Sequence, residues 1–171
     1  MELKSLIRDV PDYPTKGVLF RDLTPLMADP KAMKYVTESL SNHIASFRVD
    51  AIAAIDSRGF IFGALVAAKL RIPFVPIRKS GKLPPPVIGV DYQLEYGTSR
   101  LEMANTAFRK GQRFAVVDDL LATGGSANAG VKLLTELGAQ AVSIAFCVEL
   151  GFLNGRSSLP DGIDIFSIVK Y

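Results

Sequence analysis

A chain of 171 residues, 49% apolar and 22% charged, is long enough to bury a sound core and excludes a disordered or fibrous polypeptide. The net charge of +3 argues weakly for anionic ligands and against wholesale nucleic-acid binding, and no apolar stretch is long enough to cross a bilayer. One cysteine excludes an internal disulfide, and the opening Met-Glu-Leu-Lys lacks signal-peptide features, so the expected setting is the cytosol, without membrane contact.

In chain order, residues 10–25 are dense in Pro, Gly and Asp and predict an ordered lobe without long elements. Apolar residues at helical spacing predict a helix over 31–47, with Asp29-Pro30 as cap and first turn. A buried strand follows over 49–55, then a helix over 60–70 and a second strand over 74–77. Residues 80–99, SGKLPPPVIGVDYQLEYGTS, are rich in Gly and Pro apart from a short alternating stretch, and a loop of that length predicts a lid. Further strands are expected over 114–117 and 141–148, with a helix over 127–137 that stops at Gly138. Alternating strands and helices predict an α/β fold with a parallel sheet, and no linker divides residues 1–171.

Chemistry concentrates in VVDDLLATGG, 116–125. The strand is expected to end at Asp118-Asp119, at the carboxyl edge where open parallel sheets bind ligands. Ala122, Thr123, Gly124, Gly125 and Ser126 then turn into a helix, so backbone N–H groups, two hydroxyls and the helix terminus can converge on a phosphomonoester. Adjacent carboxylates are costly there unless hydroxyls or a cation face them, which points to a ribose 5-phosphate with Mg²⁺ close by. There is no G-x-x-x-x-G-K-[ST], and no G-x-G-x-x-G follows a strand, so a P-loop and a dinucleotide fold are set aside.

Arg58 follows the strand over 49–55, where its guanidinium suits pyrophosphate as a bidentate donor, or else a plain helix start. Arg78, Lys79 and Lys82 follow the next strand; Lys79 is the preferred pyrophosphate clamp, Lys82 arrives on the lid, and Arg78 is the weaker candidate. Cys147 in an apolar strand and His43, with no partner in view, receive no role.

VVDDLLATGG followed by SANA resembles the phosphoribosyl-pyrophosphate (PRPP) loop of the type I phosphoribosyltransferases, and its Asp-Asp-Leu-Leu-Ala-Thr-Gly-Gly spelling is typical of the members that use adenine. PDYPTKGVLFRDLTPL (11–26), DSRGFIFG (56–63) and RKSGKLP…LEYG (78–97) are similar to the same members in the same order. The resemblance implies an open, mostly parallel twisted sheet flanked by helices, with an N-terminal hood within about residues 1–30 and a lid within about 80–99. It implies Mg²⁺-dependent transfer of phosphoribosyl from PRPP to adenine, giving AMP and pyrophosphate, with the ion carried mainly on PRPP beside Asp118 and Asp119. Asp56, Ser57, Arg58, Lys79, Lys82 and Tyr96 join the 122–126 loop in holding PRPP, and a cis peptide is implied at Asp56–Ser57. Glu95 on the lid is implied as general acid/base, with Arg58 and Lys79 acting on the leaving pyrophosphate. Phe20 would stack on the purine while backbone groups of Leu19 and Arg21 read its edge. A homodimer with residues 77–82 near the partner is also implied. The alternatives are another purine base, or a purine-sensing regulator without catalysis. Two departures are small: Ser126 stands where Thr is frequent, and three prolines stiffen the lid at 84–86.

Overall fold

Asp29 begins the largest helix as its sequence dictates: its carboxylate accepts the N–H groups of Lys31 and Ala32 at 2.8 and 3.0 Å, and Pro30 occupies the first turn, a cap worth about 1 kcal/mol. In this computed structural model, which describes residues 2–93, 97–106 and 109–171, that helix is α2, Pro30–Ala45. Ahead of it come a hairpin of β1 (Arg8–Pro11) and β2 (Leu19–Asp22) and the single turn α1, Thr24–Met27. Then follow β3 (Ala51–Ile55), α3 (Gly59–Leu70), β4 (Phe74–Lys79), β5 (Val87–Gln93), β6 (Thr98–Ala104), β7 (Arg113–Leu121), α4 (Gly125–Glu136), β8 (Gln140–Glu149) and β9 (Asp164–Lys170).

The main sheet has seven strands in the order β5-β6-β4-β3-β7-β8-β9, and the five from β4 to β9 run parallel. Alternate residues of one strand feed opposite cores. Ile52, Ala54, Ala115 and Val117 pack under α2 and α3, while Ala53, Ile55 and Val116 pack under α4. Close helix–sheet contact requires glycine at 63, where a Cβ would lie 2.4 Å from that of Ala54. The result is the expected mostly parallel sheet flanked by helices. Among the described residues no helix is long and apolar enough to cross a membrane.

Three elements differ from expectation. Much of the expected loop over 80–99 is regular: β5 and the start of β6 form an antiparallel hairpin that joins the sheet through β6 and β4. Val90, Leu101 and Met103 are buried there, so apolar alternation outweighs the Gly and Pro content. Strand β7 does not stop at Val117. It continues through both aspartates to Leu121, because β8 runs alongside as far as Glu149 while β3 has already ended. Strand β9 was not anticipated, and it supplies what His43 lacked: Asp164 Oδ2 lies 2.6 Å from His43 Nε2, and Phe166 stacks on the ring at 4.1 Å. Cys147 is fully buried, and burial first, then the charge of Asp119, push its thiol up to about 12, as suits an inert residue.

Candidate active site

Because β7 outruns β3, Asp118 and Asp119 stand at the carboxyl end of the sheet with β8 on one side and the Arg58–Gly59 start of α3 on the other. They are 9% and 7% exposed. Asp118 Oδ1 accepts the N–H of Asp119 at 2.9 Å. Gly59, the first residue of α3, leaves room for this carboxylate, since a Cβ there would fall 2.7 Å from Oδ1. Burial first and the adjacent Asp119 charge second hold the Asp118 carboxyl well above its ordinary value. Arg58 Nε comes within 2.7 Å of Asp119 Oδ2, close enough for an ion pair but not aimed along the N–H, so this buried oxygen has no hydrogen-bond partner. The pair therefore has an acceptor to offer a ligand.

After Leu121 the chain turns sharply. Gly124, at φ +85, caps α4 without a side chain, which leaves the first N–H groups of a twelve-residue helix open to an anion. A second segment braces this turn from behind. Ser158 Oγ donates to the Thr123 carbonyl at 2.7 Å, and Gly155 packs so tightly that a Cβ would lie 2.1 Å from the Ala122 oxygen. Arg156 secures the brace with bonds of 2.7 and 2.8 Å to Glu149 and 3.0 Å to the Ile165 carbonyl.

Across the sheet edge, the Asp56–Ser57 peptide is cis. Asp56 accepts from Arg78 Nε at 3.1 Å, and Arg78 Nη1 reaches the Lys82 carbonyl at 3.1 Å. Arg78, the weaker clamp candidate, thus joins the two loops expected to face pyrophosphate. One cavity of about 780 Å³ gathers Asp56, Ser57, Arg58, Lys79, Asp118, Asp119, Ser126 and Phe20. A smaller hollow of about 80 Å³ is lined by residues 120–127 with Asp118 and Phe146, and includes Ala122, Thr123, Gly124 and Gly125. Lys82 is exposed at the rim turn.

A family model for the phosphoribosyl transferase domain matches residues 24–164. The adenine phosphoribosyltransferase of Thermosynechococcus vestitus is 50% identical over 171 residues, covering all of both chains. The crystal structure of that of Thermoanaerobacter pseudethanolicus superposes with a TM-score of 0.95 at 48% identity, over 99% of this chain and 98% of that one. The Saccharomyces cerevisiae structure, complexed with an imino-altritol bisphosphate and adenine, gives 0.92 at 36% identity, over 97% of this chain and 96% of that one. The chain belongs to the adenine phosphoribosyltransferases.

Seen as an adenine phosphoribosyltransferase, the cavity has walls that the sequence motifs did not single out. Tyr13, Tyr92, Ser99 and Leu120 line it, and Tyr13 meets Phe20 edge-on with centroids 5.2 Å apart. Leu120 carried a usable signal, since it directly follows the two acids. The Arg21 side chain turns away, pairing with Asp9 and lying 3.8 Å over the Tyr171 ring, and of β2 it is Phe20 that lines the cavity. Ile77 is fully buried, so of residues 77–82 those from Arg78 onward reach the surface. Glu95 and Tyr96 lie outside the described residues.

Proposed function

We propose that this chain transfers the phosphoribosyl group of PRPP to adenine, releasing AMP and pyrophosphate. The observation that carries the reading is the buried aspartate pair between an open helix terminus and the loops of Ser57 and Lys79, all on one cavity. Thr123, Gly124, Gly125 and Ser126 with Ala122 hold the 5-phosphate, so binding remote from the reacting carbon fixes its geometry. Asp118 and Asp119 hold the ribose hydroxyls and favour the positive charge that develops at the anomeric carbon. Asp56 and Ser57 form the backbone loop under the pyrophosphate. Arg58, Lys79 and Lys82 neutralise it as it leaves, Arg58 exchanging its Asp119 contact for phosphate oxygens.

Phe20 and Leu120 flank the purine, while Leu19 and Arg21, two apart on β2, aim backbone groups toward one edge of it. This base-reading role falls to the hood within about residues 1–30, and the lid to about 80–99. Among the described residues no group of three His, Cys, Asp or Glu side chains could hold a metal ion. The Asp119 oxygen that Arg58 would release, which accepts no hydrogen bond, fits Mg²⁺ that arrives on PRPP, where the ion would add charge neutralisation to the leaving group. Labelled adenine, PRPP and Mg²⁺ should yield labelled AMP, and no product would end this reading; competition with hypoxanthine, guanine and xanthine tests the base.

Glu95 serves as general acid/base at the purine. Glu95→Gln is expected to lower kcat by about 100-fold or more while PRPP affinity changes by less than about two-fold. Equal losses in both would remove that assignment. The enzyme works in the cytosol as a homodimer in this reading. Ile61 and Leu65 lie one turn apart on α3 at 42% and 41% exposure, an apolar strip suited to a second copy of the chain. Leu65→Glu should shift the protein to monomer mass in size-exclusion chromatography with light scattering, and an unchanged dimer would take α3 out of the interface.

A further inference from the structure

Four cations crowd the root of the β5–β6 hairpin: Arg78, Lys79 and Lys82 around the turn after β4, and Arg100 on β6. Their mutual repulsion would splay the turn, and Gly81 at φ +75, with nothing within 4 Å of its Cβ position, adds slack. Asp56 pairs with Arg78 at 3.1 Å, and a second carboxylate, buried, holds the turn itself. Glu102 on β6 is 7% exposed; its Oε1 accepts the Ser80 hydroxyl at 2.7 Å and its Oε2 the Gly81 N–H at 2.9 Å. Arg100 Nε stands 3.5 Å from Oε1, and Nη1 of the same guanidinium, which lies over Gly89, donates to Asp91 on β5 at 3.1 Å. Ser80 and Gly81 are the two residues between the lysines, and Lys82 N closes the turn onto the Lys79 carbonyl at 3.3 Å.

The geometry points to Glu102 as a positioning residue for pyrophosphate: its carboxylate fixes the turn that presents Lys79 and Lys82 and ties that turn to the returning strand of the hairpin. This rests on the reading of the cavity as a PRPP site. The Ser80 hydroxyl first and the Gly81 N–H second hold the Glu102 carboxyl below its ordinary value, so it is ionised and purely an acceptor at neutral pH. Glutamine keeps the shape but turns one acceptor into a donor facing a donor.

AMP and pyrophosphate are the substrates of the reverse reaction, so the two halves of the site can be read separately. Glu102→Gln should raise KM for pyrophosphate about ten-fold while KM for AMP moves less than about two-fold. Ser80→Ala should raise it about three-fold, and Ser80→Thr, which keeps the hydroxyl, should restore it. The proposal is overturned if KM for pyrophosphate in folded Glu102→Gln stays within about two-fold of wild type, or rises in step with KM for AMP. If Glu102→Gln fails to fold, the Ser80 pair decides by the same comparison. A wild-type protein that converts neither substrate would refute the functional reading, whereas an active one with unchanged variants refutes only the role of Glu102.

Discussion

Asp118→Asn is expected to raise the melting temperature by about 2–4 °C at neutral pH and above, while lowering kcat/KM for PRPP by about 100-fold. The two effects have one cause. The Asp118 carboxyl is buried beside a second carboxylate, and both circumstances disfavour its charge, the burial more than the neighbour. A group whose folded pKa is raised contributes stability below its unfolded value, and that contribution is lost as pH climbs through the folded one. The loss therefore begins near 3.8 and is complete above the raised value. Asparagine never ionises, so the gain should be present at neutral pH and shrink toward pH 4. It also keeps the side chain's volume and the oxygen that accepts the Asp119 N–H. What it lacks is the charge proposed to hold the ribose hydroxyls and to favour a cationic sugar, hence the expected loss of rate. Melting curves across pH with steady-state kinetics test both halves. A melting temperature unchanged or lowered at neutral pH would mean the charge is not held under stress, and unchanged kinetics would detach Asp118 from the sugar.

The sequence carries the parallel core of the fold because fully buried strands must be written as apolar runs, as in Ala51–Ile55. It carries less where a partner's length decides. Asp118 and Asp119 look like the end of a strand, and only the length of β8 keeps β7 going past them. Strand β9 lies at the sheet edge with Asp164, Ser167 and Lys170 interrupting its apolar residues, so neither period stands out. The β5–β6 hairpin is masked by the prolines and glycines around it. For the site, the VVDDLLATGG segment and the Asp56–Ser57 turn are legible because their chemical character resides in the backbone and in adjacent acids. The hood side chains are less so, since the Arg21 guanidinium is directed by Tyr171, 150 positions later in the sequence numbering. The brace at Gly155 and Ser158 carries no chemical signature at all. It acts through a glycine that lets another backbone approach and a serine that bonds a carbonyl.

That brace gives the second large effect. Gly155→Ala should lower the melting temperature by about 4–8 °C and raise KM for PRPP about ten-fold, with KM for adenine nearly unchanged. The new methyl carbon would lie 2.1 Å from the Ala122 oxygen and 3.0 Å from its carbon, so backbone rather than a flexible side chain must yield. On the other side, Arg156 pins the brace to Glu149 and Ile165 through three hydrogen bonds, the most resistant of the available supports. The phosphate turn is the part that gives. Its hold on the brace is a single Ser158 bond, and Gly124, whose own Cβ position lies 2.4 Å from the Gly155 oxygen, would be pushed with it. Amides that converge on one phosphate lose their common target when the turn shifts by a fraction of a bond length, and PRPP is then bound less tightly. Adenine, proposed to bind against the hood, should feel little of this. Gly125→Ala is the control for stability alone: its methyl would stand 3.3 Å from the Gln93 carbonyl at the start of α4, and should lower the melting temperature much less. If Gly155→Ala melts with wild type and keeps its KM for PRPP, the two backbones separate freely and the turn is held by something other than the brace.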